Sequence, residues 1–155
     1  MENCHKCRLR ESCIHPVGGS GAGKIMFIGE APGETEDKLG IPFVGRSGKL
    51  LRTAVGDGHY FTNAVKCRPP GNRKPLNDEI EACFPHLKGE IDNIKPEVIV
   101  FVGKTAYSLQ DKLSNLYPNI HYEFFYHPAY ALRKGIAEQW SKEIGSKVKK
   151  LKQKL

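Results

Sequence analysis

Four carboxylates fall within eight residues of a glycine- and proline-punctuated stretch, GEAPGETEDKLGIPFVGRSG (29–48): Glu30, Glu34, Glu36 and Asp37. A group of acids in one loop is chemically useful where positive charge develops or where a water must be oriented or deprotonated. The chain as a whole has the opposite sign, with a formal net charge of +7 over 155 residues. Loops on a rigid scaffold are where chemistry is usually placed.

Other residue types also invite chemistry. Cys4 and Cys7 form a CxxC, while Cys67 and Cys83 have fifteen residues between them. A CxxC fills two corners of a tetrahedral site, and two distant cysteines complete it. Buried structural thiols are the plainer alternative. Spacing alone does not separate zinc from an iron–sulphur cluster. Cys13 is surplus, a bystander or a competing ligand. In VGRSGKLL (44–51), Gly45 and Gly48 allow close backbone approach, and Ser47 reads as a helix N-cap beside Arg46 and Lys49. That combination suits a phosphate, although an ordinary capped helix would look the same. His127, in HPAYALR (127–133), could donate to a developing anion, or could be a turn residue before Pro128. The basic KCRPPGNRKP (66–75), with Arg73, could track a nucleic-acid backbone or form an extended loop. GGSGAGK (18–24) nearly spells a phosphate-binding loop, but Ile25 stands where a Ser or Thr should coordinate magnesium. It reads as a link and not as an ATP site.

These residues need a frame. KIMFIGE (24–30), HYFTNAV (59–65), EVIVFVG (97–103) and HYEFFYH (121–127) read as strands. Helices are expected over 47–55, over 76–94 with Pro85 kinking or splitting it, over 104–113, and from about 135 to the end. Strands alternating with helices predict a three-layer α/β/α sandwich around a mainly parallel four-stranded sheet. Ligands then bind beyond the carboxyl ends of the strands. This places GEAPGETED, CRPPGNRKP, GKTA and HPAYALR on one rim.

Composition sets the outer bounds. The length fits one domain, and 39% hydrophobic with 26% charged residues is ordinary for a globular protein. There is no apolar run of membrane-spanning length and no signal-like N-terminus, so a cytoplasmic location is expected, with no membrane partner. A sequence pI near 9.2 points to an anionic partner, nucleic acid first. Much of the surplus charge lies in SKEIGSKVKKLKQKL (141–155), which also reads as a solvated helix face.

Taken together, GEAPGETEDKLGIPFVGRSGKLL (29–51), TNAVKCRPPGNRKPL (62–76), HPAYALR and the cysteine pattern resemble the iron–sulphur family-4 uracil-DNA glycosylases. The resemblance runs from Cys4 to about Arg133. It implies a monomeric enzyme acting on uracil-containing DNA, single- or double-stranded. Such an enzyme flips deoxyuridine out of the stack and hydrolyses its N-glycosidic bond, leaving an abasic site. It implies a [4Fe–4S] cluster, with zinc as the alternative, on Cys4, Cys7, Cys67 and Cys83. Phe43 would stack on the uracil and Asn63 would read its polar edge, with the backbone at Ala31 to Gly33 close to the base. Exposure of Phe43 is expected from its loop position. Glu36 would handle the water, aided by Asn72, while His127 stabilises the uracil anion and Glu30 shapes the pocket. Two departures stand out. The link LRTAVGDGH (51–59) is short, and the family's bulky wedge pair reads Ala131-Leu132 here, leaving Leu132 or Arg133 to enter the duplex. Single-stranded substrate would then be handled comparatively well. The alternative function is a catalytically degenerate, metal-stapled nucleic-acid-binding module.

Overall fold

The computed structural model describes residues 7–155, so Cys4 lies outside the described residues. Five strands form one sheet: β1 (Ser20–Gly21), β2 (Ile25–Gly29), β3 (Tyr60–Asn63), β4 (Val98–Val102) and β5 (His121–Phe125). Their order is β1-β3-β2-β4-β5. The last four are parallel, and β1 pairs antiparallel with the edge of β3. The helices are α1 (Glu34–Leu39), α2 (Arg46–Val55), α3 (Asn77–Ile94), α4 (Lys104–Tyr107), α5 (Gln110–Leu116), α6 (Pro128–Lys134) and α7 (Ala137–Gln153).

The layering follows from the strand sequences. IMFIG in β2 and VIVFV in β4 are buried at every position, which demands apolar residues on both faces of the pleat. Met26, Ile28, Ile99 and Phe101 pack with Leu87 and Ile91 of α3 and Leu113 of α5. Ile25, Phe27, Val98 and Val100 pack with Leu51 of α2 and with Trp140, Ile144 and Val148 of α7. The expected α/β/α sandwich is present, with five strands where four were expected. The additional strand, β1, has only two residues, too few to show a period of two in sequence.

Three other expectations are corrected. Pro85 does not split α3. It is exposed, as is Glu81, whose carbonyl loses its partner, so that group meets water while Phe84 and Leu87 anchor both halves of the helix. The helix expected over 104–113 breaks into α4 and α5, because the Ser108 hydroxyl donates to the Thr105 carbonyl at 2.6 Å and Leu109 N–H bonds to Ala106. HPAYALR, read as a loop, forms α6. Pro128 opens it, and Gly135 closes it in the left-handed conformation (φ 70°). Among the described residues, no helix is long and apolar enough to cross a membrane.

A buried ionic cluster ties three segments together. Lys66, 1% exposed, donates to Glu90, to Thr62 and, at 2.7 Å, to the Asn63 carbonyl. Glu90 also accepts from Tyr60 Oη at 2.6 Å and from Gly19 N–H at 2.8 Å. Burial, with help from Glu90, pushes the Tyr60 phenol well above its usual range and keeps it a donor. Glu90 on α3 thereby holds β3 and the strand-entry segment. Removing it strands a buried ammonium, so Glu90→Ala is expected to cost about 3–5 kcal/mol. Glu90→Gln should cost less, because it keeps hydrogen-bonding atoms in place. Urea unfolding of both variants measures the difference.

Candidate active site

The parallel strands bring Gly29, Asn63, Val102 and Phe125 to one rim, and the pairing continues past it. Ala64 N–H donates to the Gly29 carbonyl at 2.8 Å and Val65 N–H to that of Glu30 at 3.2 Å. Over Gly29 two of the expected base-reading residues converge. A methyl group at Gly29 would lie 2.4 Å from Phe43 Cζ and 2.6 Å from Asn63 Oδ1. Only glycine permits that approach. Contrary to the expected exposure, Phe43 is only 6% exposed and Asn63 only 3%. The Phe43 ring packs into the α2–α7 core.

Phe43 has a left-handed backbone (φ 55°), an unfavourable state for an aromatic residue. Arg52, one helix away, offsets that strain. Its Nε donates to the Phe43 carbonyl at 2.8 Å and its Nη2 to the Pro42 carbonyl at 2.6 Å. The guanidinium lies 4.3 Å from the Phe61 ring centre. Gly48 makes room below, since a methyl there would fall 2.4 Å from Phe43 Cα. Arg52 carried no signal in the sequence, because a basic residue on an amphipathic helix reads as solvated.

Glu36 is engaged by backbone donors and does not line the cavity of Glu30 and His127. Its Oε1 accepts from Gly33 N–H at 3.0 Å, and its Oε2 accepts from Val44 and Gly45 N–H at 2.9 and 2.6 Å. The carboxylate therefore joins the start of α1 to the start of α2. The N-cap of α2 is Gly45 and not Ser47, and no side chain of the cap residue bonds the helix. Asp37, in the same acidic stretch, is buried and accepts from Ile14 N–H at 2.9 Å.

Glu30 and His127 share a cavity of about 570 Å³, lined also by Thr105, Lys104, Tyr130 and Arg133. Thr105 Oγ1 donates to Glu30 Oε1 at 2.5 Å and fixes its rotamer. His127 caps α6: its Nδ1 accepts from Ala129 N–H at 3.0 Å. With Nδ1 an acceptor, the neutral ring carries its proton on Nε2. Burial lowers the His127 pKa below its ordinary 6.5, only partly countered by Glu30. At neutral pH the group is a neutral Nε2–H donor.

Of the other expected residues Arg133 lines this cavity, whereas Phe43, Asn63, Asn72 and Arg73 do not. Asn72 is exposed, in a left-handed conformation (φ 59°), and accepts from Arg68 Nε at 2.6 Å. Arg73 makes a two-pronged ion pair with buried Glu79, both bonds 2.8 Å. Arg46 and Lys49 are exposed at the start of α2, with Ser47 half-buried. Ala131 is buried, whereas Leu132 is half-buried and Arg133 exposed. Ala31 packs at the edge of the α3-side core. Cys67 and Cys83 are buried in that same core, with Cys7 packed against it. Among the described residues, no group of three or more His, Cys, Asp or Glu is arranged to hold a metal ion. Cys13 also packs against this core, and the thiols collected there, with Cys4 three residues before Cys7, are nevertheless a donor set chemically suited to zinc or iron–sulphur.

A doubly covered parallel sheet with an acid and a neutral histidine facing a rim cavity defines an α/β ligand-binding fold with the parts of a hydrolase. Comparison with known proteins narrows this. Residues 15–149 match the family model described as the uracil DNA glycosylase superfamily. A type-4 uracil-DNA glycosylase of Sulfurisphaera tokodaii is 50% identical over 66% of this chain and 50% of its own length. The one from Pyrobaculum aerophilum is 39% identical over 86% of this chain and 82% of its own. The chain therefore spans between half and four-fifths of these relatives. The crystal structure of wild-type Pedobacter heparinus SMUG2 shares the fold, with a TM-score of 0.60 at 12% identity over 85% of this chain and 77% of that one. The chain belongs to the uracil DNA glycosylase superfamily and, within it, to the type-4 uracil-DNA glycosylases.

Two outcomes are expected. Gly29→Ala forces the Phe43 ring and the Asn63 amide apart and should cost about 1–3 kcal/mol in denaturant unfolding. Burial also lowers the pKa values of His59 and His86, as it does that of His127. The unfolded chain therefore takes up protons first. Stability is full above pH 6.5 and falls below it, by at most about 1.4 kcal/mol per pH unit for each histidine. Unfolding midpoints between pH 7.5 and 5.5 should show a shallower decline in His127→Asn.

Proposed function

We propose that the chain is a monofunctional uracil-DNA glycosylase, which hydrolyses the N-glycosidic bond of extruded deoxyuridine and leaves an abasic site. The observation that carries this reading is the shared cavity of Glu30 and a His127 held neutral with its proton on Nε2. As the bond from C1′ to uracil N1 breaks, negative charge spreads to the uracil oxygens and positive charge to the sugar. His127 Nε2–H donates to the uracil anion. A neutral donor suits this task, because it needs no proton transfer and is present at neutral pH. Glu30, its rotamer set by Thr105, faces the sugar cation and orients the water that attacks C1′. Glu36 supports the chemistry indirectly, since both its oxygens are engaged by backbone N–H groups.

Asn63 offers an amide donor and an acceptor to the uracil edge, and Phe43 its ring. Asn63 is oriented from behind, through Lys66 on its carbonyl. Arg46, Ser47, Lys49 and Arg133 contact the DNA backbone. Arg73 serves the same surface through Glu79, by fixing the loop that carries Asn72. Asn72, exposed on that loop, reaches the substrate only when DNA is bound. Cys4, Cys7, Cys67 and Cys83 hold a [4Fe–4S] cluster, with zinc the alternative. The bound group supplies a structural staple between the N-terminal segment, the loop after β3, and α3.

The test is uracil release from a uracil-containing oligonucleotide, beside a visible absorption spectrum of freshly purified protein. Free uracil, an abasic site without strand nicking, and a brown protein are expected. Glu30→Gln should lower kcat by about 10²–10⁴-fold at unchanged melting temperature. Glu36→Gln should mainly lower the melting temperature. The reverse pattern would return the water-handling role to Glu36. DNA binding without release in the wild type would favour the degenerate binding module.

A further inference from the structure

Beside the cavity, the sheet ends in a row of aromatic side chains that the proposed chemistry does not use. Tyr107 is 47% and Tyr126 55% exposed, high for rings of this size. They belong to one contiguous set. Tyr107 meets Phe124 at 5.2 Å between ring centres, Phe124 meets Tyr126 at 5.2 Å, and Tyr126 stacks on Tyr130 at 5.4 Å with 27° between planes. Strand β5, which carries Phe124, is an edge of the sheet. Tyr126 and Tyr130 also line the cavity of Glu30 and His127, so the row begins where the extruded nucleotide would enter.

The charged groups beside Tyr126 and Tyr130 are mostly basic. Lys104 and Arg133 line the same cavity, and Lys134 Nζ lies 5.9 Å from the Tyr130 ring centre. Among the lining residues the only carboxylate is Glu30. Exposed rings set between cations match a strand that offers alternating base faces and phosphates. Paired bases are stacked on their neighbours and cannot offer those faces. Opening a duplex needs a wedge, and of Ala131 and Leu132, where the resemblance places one, the first is buried in the core and the second half-buried.

We propose that Tyr126 and Tyr130 form a stacking shelf for unpaired bases flanking the extruded nucleotide, making single-stranded DNA the favoured partner of this rim. The shelf rests on the glycosylase reading only for its location beside the extruded base. Stacking on the rings requires no excision, so it is tested separately.

The experiment is fluorescence anisotropy with a short labelled oligothymidine, free of uracil, and with a duplex of equal length. Loss of one stacked base corresponds to about five- to hundredfold in affinity. Tyr126→Ala and Tyr130→Ala should each weaken single-strand binding by that order and duplex binding far less. Tyr126→Phe and Tyr130→Phe should restore it, because the ring and not the hydroxyl carries the contact. Alanine variants that bind the single strand as tightly as the wild type overturn the shelf, as does an equal loss on both substrates. A wild type that releases no uracil, yet binds single strands through these tyrosines, overturns the glycosylase reading and leaves the shelf standing.

Discussion

The carboxylate of Glu36, with its three backbone N–H donors, sets the path of the chain between β2 and α2. It caps the start of α1 from within and the start of α2 from outside. Two helix N-termini, each with donors that need partners, are satisfied by one side chain. The segment that delivers Phe43 lies between them and has little freedom left. Arg52, and the close approach that the absent side chains of Gly29 and Gly48 allow Phe43, complete the fixation. An acid in a basic protein thus serves the geometry of the chain, while Glu30, just past the end of β2, is the carboxylate that faces the cavity.

Polar groups at the centre of the molecule follow the same rule. Lys66 uses its ammonium donors on Thr62, Asn63 and Glu90, and Glu90 collects Tyr60 and Gly19 besides. Glu79 is buried against Arg73 in a matched two-pronged pair. Such arrangements give modest net stability, but they admit few alternatives, because breaking one leaves an uncompensated buried charge. Asn63 and the loop that carries Asn72 are each backed by one of these pairs. The positions of Asn63 and of the loop that carries Asn72 are therefore coupled to the interior and not left to loop flexibility.

Much of this was legible in sequence. The runs IMFIG and VIVFV had to be strands buried on both faces, and the alternation with helices dictated the parallel sheet and its rim. Glu30, Phe43, Asn63 and His127 were recognisable within motifs. What stayed hidden depended on hydrogen bonds between segments distant in sequence. Glu36 and Glu30 are the same residue type in the same loop, and only the fold gives one to backbone amides and the other to a cavity. Arg52 and Thr105 read as ordinary helix residues until their partners, the Phe43 carbonyl and Glu30, were placed. Strand β1 was too short for any periodicity, and α6 was concealed because its start and stop residues, Pro128 and Gly135, also punctuate loops.

The indole of Trp140 donates from Nε1 to the carbonyl of Tyr126 at 3.0 Å, joining α7 to the aromatic row. It is the only tryptophan in the chain. The protein thus carries one indole fluorophore, excitable apart from its tyrosines, buried in the α2–α7 core and hydrogen-bonded to the backbone of the rim. Its emission colour and quenching report how firmly the end of β5 is seated, with no label attached. Occupancy of the rim, and loosening of α7 from the sheet, become separable optical signals in the unmodified chain.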